Sequence, residues 1–145
     1  MSARNFFTSE QQKSIKQSIA NAELNTSGEI RVHIDDKCKD DVLDAAANMF
    51  HQMKMDTTEL RNGVLFYLAV SDHKFAILGD KGINEKVPTD FWDHIKEVML
   101  AHFKKQEFTE GLCKGIEMAG EKLKTNFPLQ SNDTNELAND VSFGK

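Results

Sequence analysis

Oxygen-bearing side chains are concentrated in two polar loops, residues 56–62 and 79–85. Hard cations such as Ca²⁺ and Mg²⁺ bind through several oxygen ligands, and loops supply these well because they can fold around the ion. Glycines in the second loop would also let backbone carbonyls approach an ion. The candidate ligands are Asp56, Glu59, Asn62, Asp80 and Glu85, together with Glu29 at the start of a predicted strand. The alternative interpretation is that these residues are solvated loop acids and turn formers.

A second acidic group lies in the segment 35–41, with a partner in a later turn. Its candidate ligands are Asp35, Asp36 and Asp72. Ligands of open parallel sheets usually bind beyond the carboxyl ends of the strands, which favours this group. However, the last two aspartates of the segment stand where a helix start favours negative charge. The EF-hand pattern also fails, because Lys37 and Lys39 occupy two of its ligand positions.

Apolar periodicity predicts the elements that must position these loops. Strict alternation over 29–35 indicates a strand with one apolar and one polar face, and the apolar run 64–70 indicates a central strand. Residues 74–78 return as the second strand of a hairpin. Helical spacing of apolar residues predicts helices over about 9–24, 41–53, 89–105 and 109–124. The first helix has the spacing of a capping box, either Thr8 with Gln11 or Ser9 with Gln12.

The order α-β-α-β-β-α-α indicates a three-layer α/β/α sandwich, with a small mixed central sheet of three to four strands and about four helices. The β-α-β step predicts that the first two strands are parallel through a right-handed crossover. Hairpin geometry then brings the start of the second strand and the end of the third to one edge of the sheet. With the first strand parallel to the second, Glu29 begins at the same edge. We therefore expect the six candidate ligands of the first group to converge.

Several segments follow the order and spacing of a known family. They are Ser27-Gly28-Glu29-Ile30 and the ranges 62–70, 74–83 and 108–112. Over about residues 6–127 the chain resembles the TPM domain family, named after thylakoid-lumen, photosystem-repair and receptor-modulator proteins, as a stand-alone, bacterial-type member. The resemblance implies an α/β/α sandwich, divalent-cation binding as in some members, and acid phosphatase activity as in plant members. We expect one TPM-like domain over residues 1–127 and a polar, disordered tail over 128–145.

One departure from the family bears on the chemistry: Arg61 stands where an acid often precedes the second strand. Phosphoester hydrolysis needs a nucleophile or metal-bound water and a cationic cradle for the phosphate. In this sequence only a two-metal site at the first edge, with Arg61 or Lys81 facing the phosphate, would supply both. We expect a Ca²⁺- or Mg²⁺-binding regulatory module. A metal-dependent phosphatase and a protein-interaction scaffold that uses the tail are the alternatives.

Composition excludes some classes of partner. The formal net charge of −5 argues against nonspecific binding to nucleic acid, which requires basic patches. No apolar run approaches the ~18–20 residues of a membrane span, and no secretory signal precedes the first helix. The cysteines, Cys38 and Cys113, have neither redox nor zinc spacing and are interpreted as thiols of a reducing cytoplasm. The expected partners are divalent metal ions, and no protein partner can be named from the residues.

Overall fold

A four-stranded mixed sheet organises the computed structural model, which describes residues 3–129 and 141–144. The strands are β1 Glu29–Asp35, β2 Gly63–Ala69, β3 Lys74–Gly79 and β4 Val141–Phe143. The helices are α1 Ala3–Phe6, α2 Ser9–Glu23, α3 Val42–Gln52, α4 Lys81–Asn84, α5 Phe91–Lys104 and α6 Phe108–Asn126, with a 3₁₀ turn at Met55–Thr57. The four long helices and the first three strands are therefore those that the sequence predicts.

The strand order is β3-β2-β1-β4. Strands β1 and β2 run parallel with Glu29 opposite Gly63, and β2 and β3 form an antiparallel hairpin in which Val64 lies opposite Gly79. Strand β4 runs parallel to β1 on its other side. The parallel pair and the hairpin were both predicted, and they bring the loops before β2 and after β3 to one edge of the sheet.

Helices cover both faces of the sheet, because alternate strand residues point to opposite sides. On one face, β1 and β2 pack against α2, α5 and α6 through residues such as Val32, Phe66, Ile19, Met99 and Ile116. On the other face, Tyr67 and Leu65 of β2 pack against Phe50 of α3 and Met55 of the 3₁₀ turn. The predicted three-layer α/β/α sandwich is confirmed.

The start of α2 has the predicted capping box. The Thr8 hydroxyl accepts the Gln11 backbone N–H at 3.1 Å, and the Gln11 side chain accepts the Thr8 backbone N–H at 2.9 Å. Helix α4 differs from the sequence interpretation, which placed an irregular polar loop there. Asp80 caps this helix by accepting the Lys81 N–H at 2.8 Å, and Ile83 of the helix is fully buried. A single helical turn is too short to show a helical period in the sequence.

The polar face of β1, which strict alternation indicated, is buried. Glu29, Arg31 and His33 are 2–4% exposed, on an interior strand of the sheet that is flanked by β2 and β4. Burying such groups requires hydrogen-bonding or charged partners, since they lose water on folding. Their partners come from β1 itself and from the neighbouring elements, and are described below.

Part of the predicted disordered tail forms a strand. Val141, Ser142 and Phe143 pair with Val32, His33 and Ile34 of β1, and Val141 is 5% exposed. A strand of three residues is shorter than the four to eight over which alternation can be recognised, so it had no visible pattern. Residues 130–140 and 145, which belong to the same predicted tail, lie outside the described residues.

Helix length and polarity bear on membrane topology. Among the described residues, no helix is both long and apolar enough to cross a bilayer.

The cysteines Cys38 and Cys113 are free thiols.

Candidate functional site

The first candidate region is the amino-end edge, defined here as the edge where β1 and β2 begin and β3 ends. The Glu29 N–H donates to the Asn62 carbonyl at 3.4 Å, and the Asp80 N–H donates to the Gly63 carbonyl at 2.9 Å. The loops also touch directly, because a Cβ on Gly82 would lie 2.1 Å from the Leu60 carbonyl oxygen. The structure thus brings Glu29, Asn62 and Asp80 to neighbouring backbone positions, as the sequence led us to expect.

Asp80 is bound by a basic residue of the same edge. Arg61 donates from Nε to Oδ2 at 2.6 Å and from Nη2 to Oδ1 at 2.9 Å, so the contact is bidentate. Asp80 is 7% exposed, so the contact with Arg61 replaces the hydration that its carboxylate loses on folding. The hydrogen bond with Asp80 raises the pKa of Arg61, and the negative charges of Asp80 and Asp56 add to that effect.

Asp56 has its own basic partner. The His51 Nδ1 lies 2.8 Å from the Asp56 Oδ2. This hydrogen bond is the main reason that the pKa of Asp56 is lowered from 3.8, with a smaller contribution from the charge of Arg61. Glu59 and Glu85, the remaining predicted ligands, have exposed side chains. Asp56 and Asp80 therefore both lie within the electrostatic reach of Arg61.

Glu29 belongs to a buried charge cluster. Arg31 places Nη1 2.7 Å from the Glu23 Oε2 and Nη2 3.6 Å from the Glu29 Oε2. The Glu23 carboxylate also accepts the Ile30 N–H at 2.7 Å. Burial raises the pKa of Glu23, and the Ile30 and Arg31 contacts act against that rise. Arg31 therefore supplies positive charge to two carboxylates at the start of β1.

These contacts test whether the amino-end edge suits a metal ion. Arg61 offers positive charge to Asp80 and Asp56, and Arg31 offers it to Glu29, so the edge already contains its own cations. Throughout the described ranges, no group of three or more His, Cys, Asp and Glu side chains is arranged to hold a metal ion. Neither the amino-end edge nor any other part of the described chain therefore presents a preformed group of such side chains for Ca²⁺ or Mg²⁺. The six-residue ligand set remains a prediction.

The second candidate region is the carboxyl-end edge, where β1 and β2 end and β3 begins. The Ser71 N–H donates to the Asp36 carbonyl at 2.8 Å, so the loops that follow β1 and β2 lie side by side. The Asp36 carboxylate accepts the Ser71 hydroxyl, and the Asp72 carboxylate accepts the Cys38 N–H at 2.7 Å. Both donors are neutral, so neither hydrogen bond offsets a carboxylate charge. These two hydrogen bonds therefore do not neutralise the negative charges of Asp36 and Asp72.

Asp35 joins two parts of a hydrogen-bonded chain that links three strands. Ser142 Oγ lies 2.7 Å from His33 Nδ1, and His33 Nε2 lies 2.9 Å from Asp35 Oδ1. Tyr67 donates its hydroxyl to Asp35 Oδ2 at 2.5 Å, and burial followed by the contact with Asp35 raises the pKa of Tyr67. The chain uses both ring nitrogens of His33 and joins β4 to β1 and β2. We interpret it as a structural clamp.

Part of this clamp could have been read from the sequence. His33 and Asp35 are two residues apart on a strand, so they share a face. Their partners Tyr67 and Ser142 could not be paired with them, because the register of β2 and β4 on β1 is a property of the assembled sheet.

Three comparisons place the chain among known proteins. The family model described as TPM domain matches residues 2–122. The NMR structure of the BA42 protein from the psychrophilic bacterium Bizionia argentinensis is 48% identical, with a TM-score of 0.89 and 97% of each chain covered. No curated protein matches the chain.

Two more distant solution structures share the fold. The N-terminal domain of a protein from P. gingivalis is 15% identical, with a TM-score of 0.70 over 85% of this chain and 80% of that one. The N-terminal domain of the cg2496 protein from Corynebacterium glutamicum is 11% identical, with a TM-score of 0.64 over 94% of this chain and 80% of that one.

Proposed function

Since the chain belongs to the TPM domain family, we propose that it is a divalent-cation-binding module whose acidic loops are ordered by Ca²⁺ or Mg²⁺. The observation that carries the proposal is the pair of acidic loops side by side at the carboxyl-end edge. There the Asp36 and Asp72 carboxylates have neutral hydrogen-bond donors. Carboxylate oxygens are the ligands that these hard cations prefer.

The ion pairs of the described residues favour the carboxyl-end edge over the amino-end edge, because none of them involves Asp36 or Asp72; the nearby Lys74 ammonium lies 3.4 Å from the Cys38 carbonyl. At the amino-end edge a metal ion would have to compete with Arg61 for Asp80, and with Arg31 for Glu29. At the carboxyl-end edge, Asp36 and Asp72 would hold the cation together with loop oxygens. We therefore propose this edge as the first location of the cation, and the six-residue set at the amino-end edge is the second location to be tested.

Ordering of the loops follows from elementary electrostatics. Like-charged carboxylates repel each other until a cation neutralises them, so a cation held by Asp36 and Asp72 would further order two loops that already lie side by side. A site with few charged ligands on loops belongs to the weak end of protein calcium sites, with a Kd of about 10⁻⁴–10⁻³ M. Such a site would respond to changes in cation concentration, which is the basis of the regulatory part of the proposal.

A titration followed by amide NMR tests the proposal. Addition of Mg²⁺ or Ca²⁺ up to millimolar concentration should shift amides within residues 35–41 and 71–73. Shifts confined to residues 56–62 and 79–85 would transfer the site to the six-residue set. An unchanged spectrum at millimolar cation would overturn cation binding altogether.

Substitutions sharpen this test. The pair Asp36→Asn and Asp72→Asn keeps the hydrogen-bond acceptors and removes the charges, so we expect the cation-induced shifts to be lost. Asp93→Asn is the matched control, because Asp93 is an exposed acid on α5. A double variant that still binds with unchanged affinity would argue against these ligands.

The alternatives have less support from the geometry. For phosphoester hydrolysis, Arg61 or Lys81 was the expected phosphate partner; the Arg61 guanidinium forms a bidentate contact with Asp80, which leaves the exposed Lys81. A scaffold built on the tail involves residues 130–140, which lie outside the described residues. We also retain the cytoplasm as the proposed location, because both cysteines are free thiols.

A further inference from the structure

A cavity of about 310 Å³ lies beside the carboxyl-end edge, on the face of the sheet that α5 and α6 cover. It is bounded by the end of β2, the start of β3, the last turn of α5 and the first residue of α6. None of the proposed cation ligands lines it. Its volume is near the lower end of the ~300–1,000 Å³ that is typical of small-molecule sites.

Four phenylalanines line the cavity together with aliphatic side chains. Phe75 and Phe103 meet edge to face with ring centroids 5.0 Å apart, and Phe108 lies 5.5 Å from Phe103. Phe6 of α1 extends the series at 5.2 Å from Phe108. Leu100 adds an aliphatic side chain that is 43% exposed. These partly buried rings leave apolar surface that an apolar ligand can cover, which removes that surface from water.

The charged side chains that line the cavity all belong to basic residues. Lys104, Lys74 and His73 contribute to the lining, and no described lining residue is acidic. Lys74 places its ammonium 3.4 Å from the Cys38 carbonyl, which leaves the exposed Lys104 as the cation best placed for a ligand. In a chain with a formal net charge of −5, this local excess of basic residues is complementary to an anion.

We propose that this cavity binds a medium-chain fatty carboxylate. The alkyl chain would lie among Phe75, Phe103 and Phe108, and the carboxylate would face Lys104. The small volume favours one short acyl chain over a larger cofactor. Cation binding and carboxylate binding use different side chains, so either can fail without the other.

Octanoate is a suitable probe because it is soluble and has one acyl chain and one negative charge. Titration followed by amide NMR should shift residues 100–108 together with residues 73–75. Octylammonium, with the same chain length and the opposite charge, should bind at least several-fold more weakly. Equal binding of the two probes would overturn the role of Lys104, and no octanoate-dependent shift at millimolar concentration would overturn the site.

Two variants test whether octanoate occupies the cavity with its carboxylate near Lys104. Leu100→Glu places a negative charge at the wall and should weaken octanoate binding by more than about tenfold, because like charges would then meet. Lys104→Gln should weaken it by about two- to fivefold, which is the usual value of one exposed charge.

Matched controls are available on the surface. Leu43→Glu changes a comparably exposed leucine on α3, and Lys105→Gln changes the lysine next to Lys104 that does not line the cavity. Both should leave octanoate affinity unchanged. Equal losses in the variants and their controls would show that octanoate binds elsewhere. Because Leu100 and Lys104 are exposed, both cavity variants should remain folded, which the dispersion of their amide spectra will verify.

Discussion

Asp80 combines two roles at the amino-end edge. Its carboxylate accepts two hydrogen bonds from Arg61 and one from the Lys81 N–H that starts α4. Asp80→Ala should lower the free energy of unfolding by about 1.5–3 kcal/mol, the range for hydrogen bonds to charged groups. Urea denaturation would measure the loss.

Glu85 is the control for Asp80 because it is an exposed acid of the same loop. Glu85→Ala should change the free energy of unfolding by less than about 0.5 kcal/mol. From the sequence, Asp80 and Glu85 were both predicted to be metal ligands. Equal losses of stability in the two variants would contradict a specific structural role for Asp80.

The pair of His51 and Asp56 predicts a dependence on pH. The hydrogen bond from His51 lowers the pKa of Asp56 from 3.8, so the folded state favours the ionised carboxylate. The resulting stabilisation is present above pH 3.8 and is lost as the pH falls through the lowered pKa of the folded state. His51→Ala should return the pKa of Asp56 toward 3.8, as measured by carboxyl ¹³C NMR.

His94→Ala provides the comparison for His51→Ala, since His94 is an exposed histidine on α5. It should leave the pKa of Asp56 in place. If Asp56 titrates identically in the wild type and in His51→Ala, the hydrogen bond is not the cause of the lowered pKa.

At the level of elements, β4 completes the sheet on the free side of β1. Deletion of residues 141–145 would remove the buried Val141 and should lower the free energy of unfolding by about 1.5–3 kcal/mol, the usual value of a buried valine. It would also expose the unpaired edge of β1, which favours association between chains. Urea denaturation and concentration-dependent light scattering would detect the two effects.

Ser142→Ala tests the hydrogen-bonded chain separately from the strand. This variant removes the contact with His33 but keeps the backbone pairing of β4, so a loss of about 1 kcal/mol without association is expected. A deletion variant as stable and as monomeric as the intact chain would show that β4 contributes little to the sheet.

The sequence predicted the longer elements well because each of them carries several repeats of its own period. Alternation over β1 and the 3.6-residue spacing of α5 and α6 are examples. Helix α4 and strand β4 contain four and three residues, respectively, so neither completes enough periods to be recognised. The formation of both elements depends on their packing in the core, where Ile83 of α4 and Val141 of β4 are buried.

For the whole molecule, the net charge bears on which classes of partner can bind, but it does not locate a binding site. The formal charge of −5 argues against nonspecific nucleic-acid binding, but it does not distinguish compensated acids from uncompensated ones. At the amino-end edge, three of the six predicted ligands contact basic side chains: Asp80 contacts Arg61, Glu29 contacts Arg31 and Asp56 contacts His51. At the carboxyl-end edge Asp36 and Asp72 accept hydrogen bonds from neutral donors. We therefore propose this edge as the location of the cation.

The sequence by itself determined the order of the long elements, the parallel and antiparallel strand pairs and the meeting of the loops at each edge. These features follow from side-chain spacing within short segments and from the handedness of chain connections. Only the tertiary structure decided which acids are paired, because Arg61 and Asp80 lie 19 residues apart and meet only when their loops pack. It likewise decided the cavity, since its walls come from elements that are distant along the chain and enclose space only after the sheet and helices have assembled.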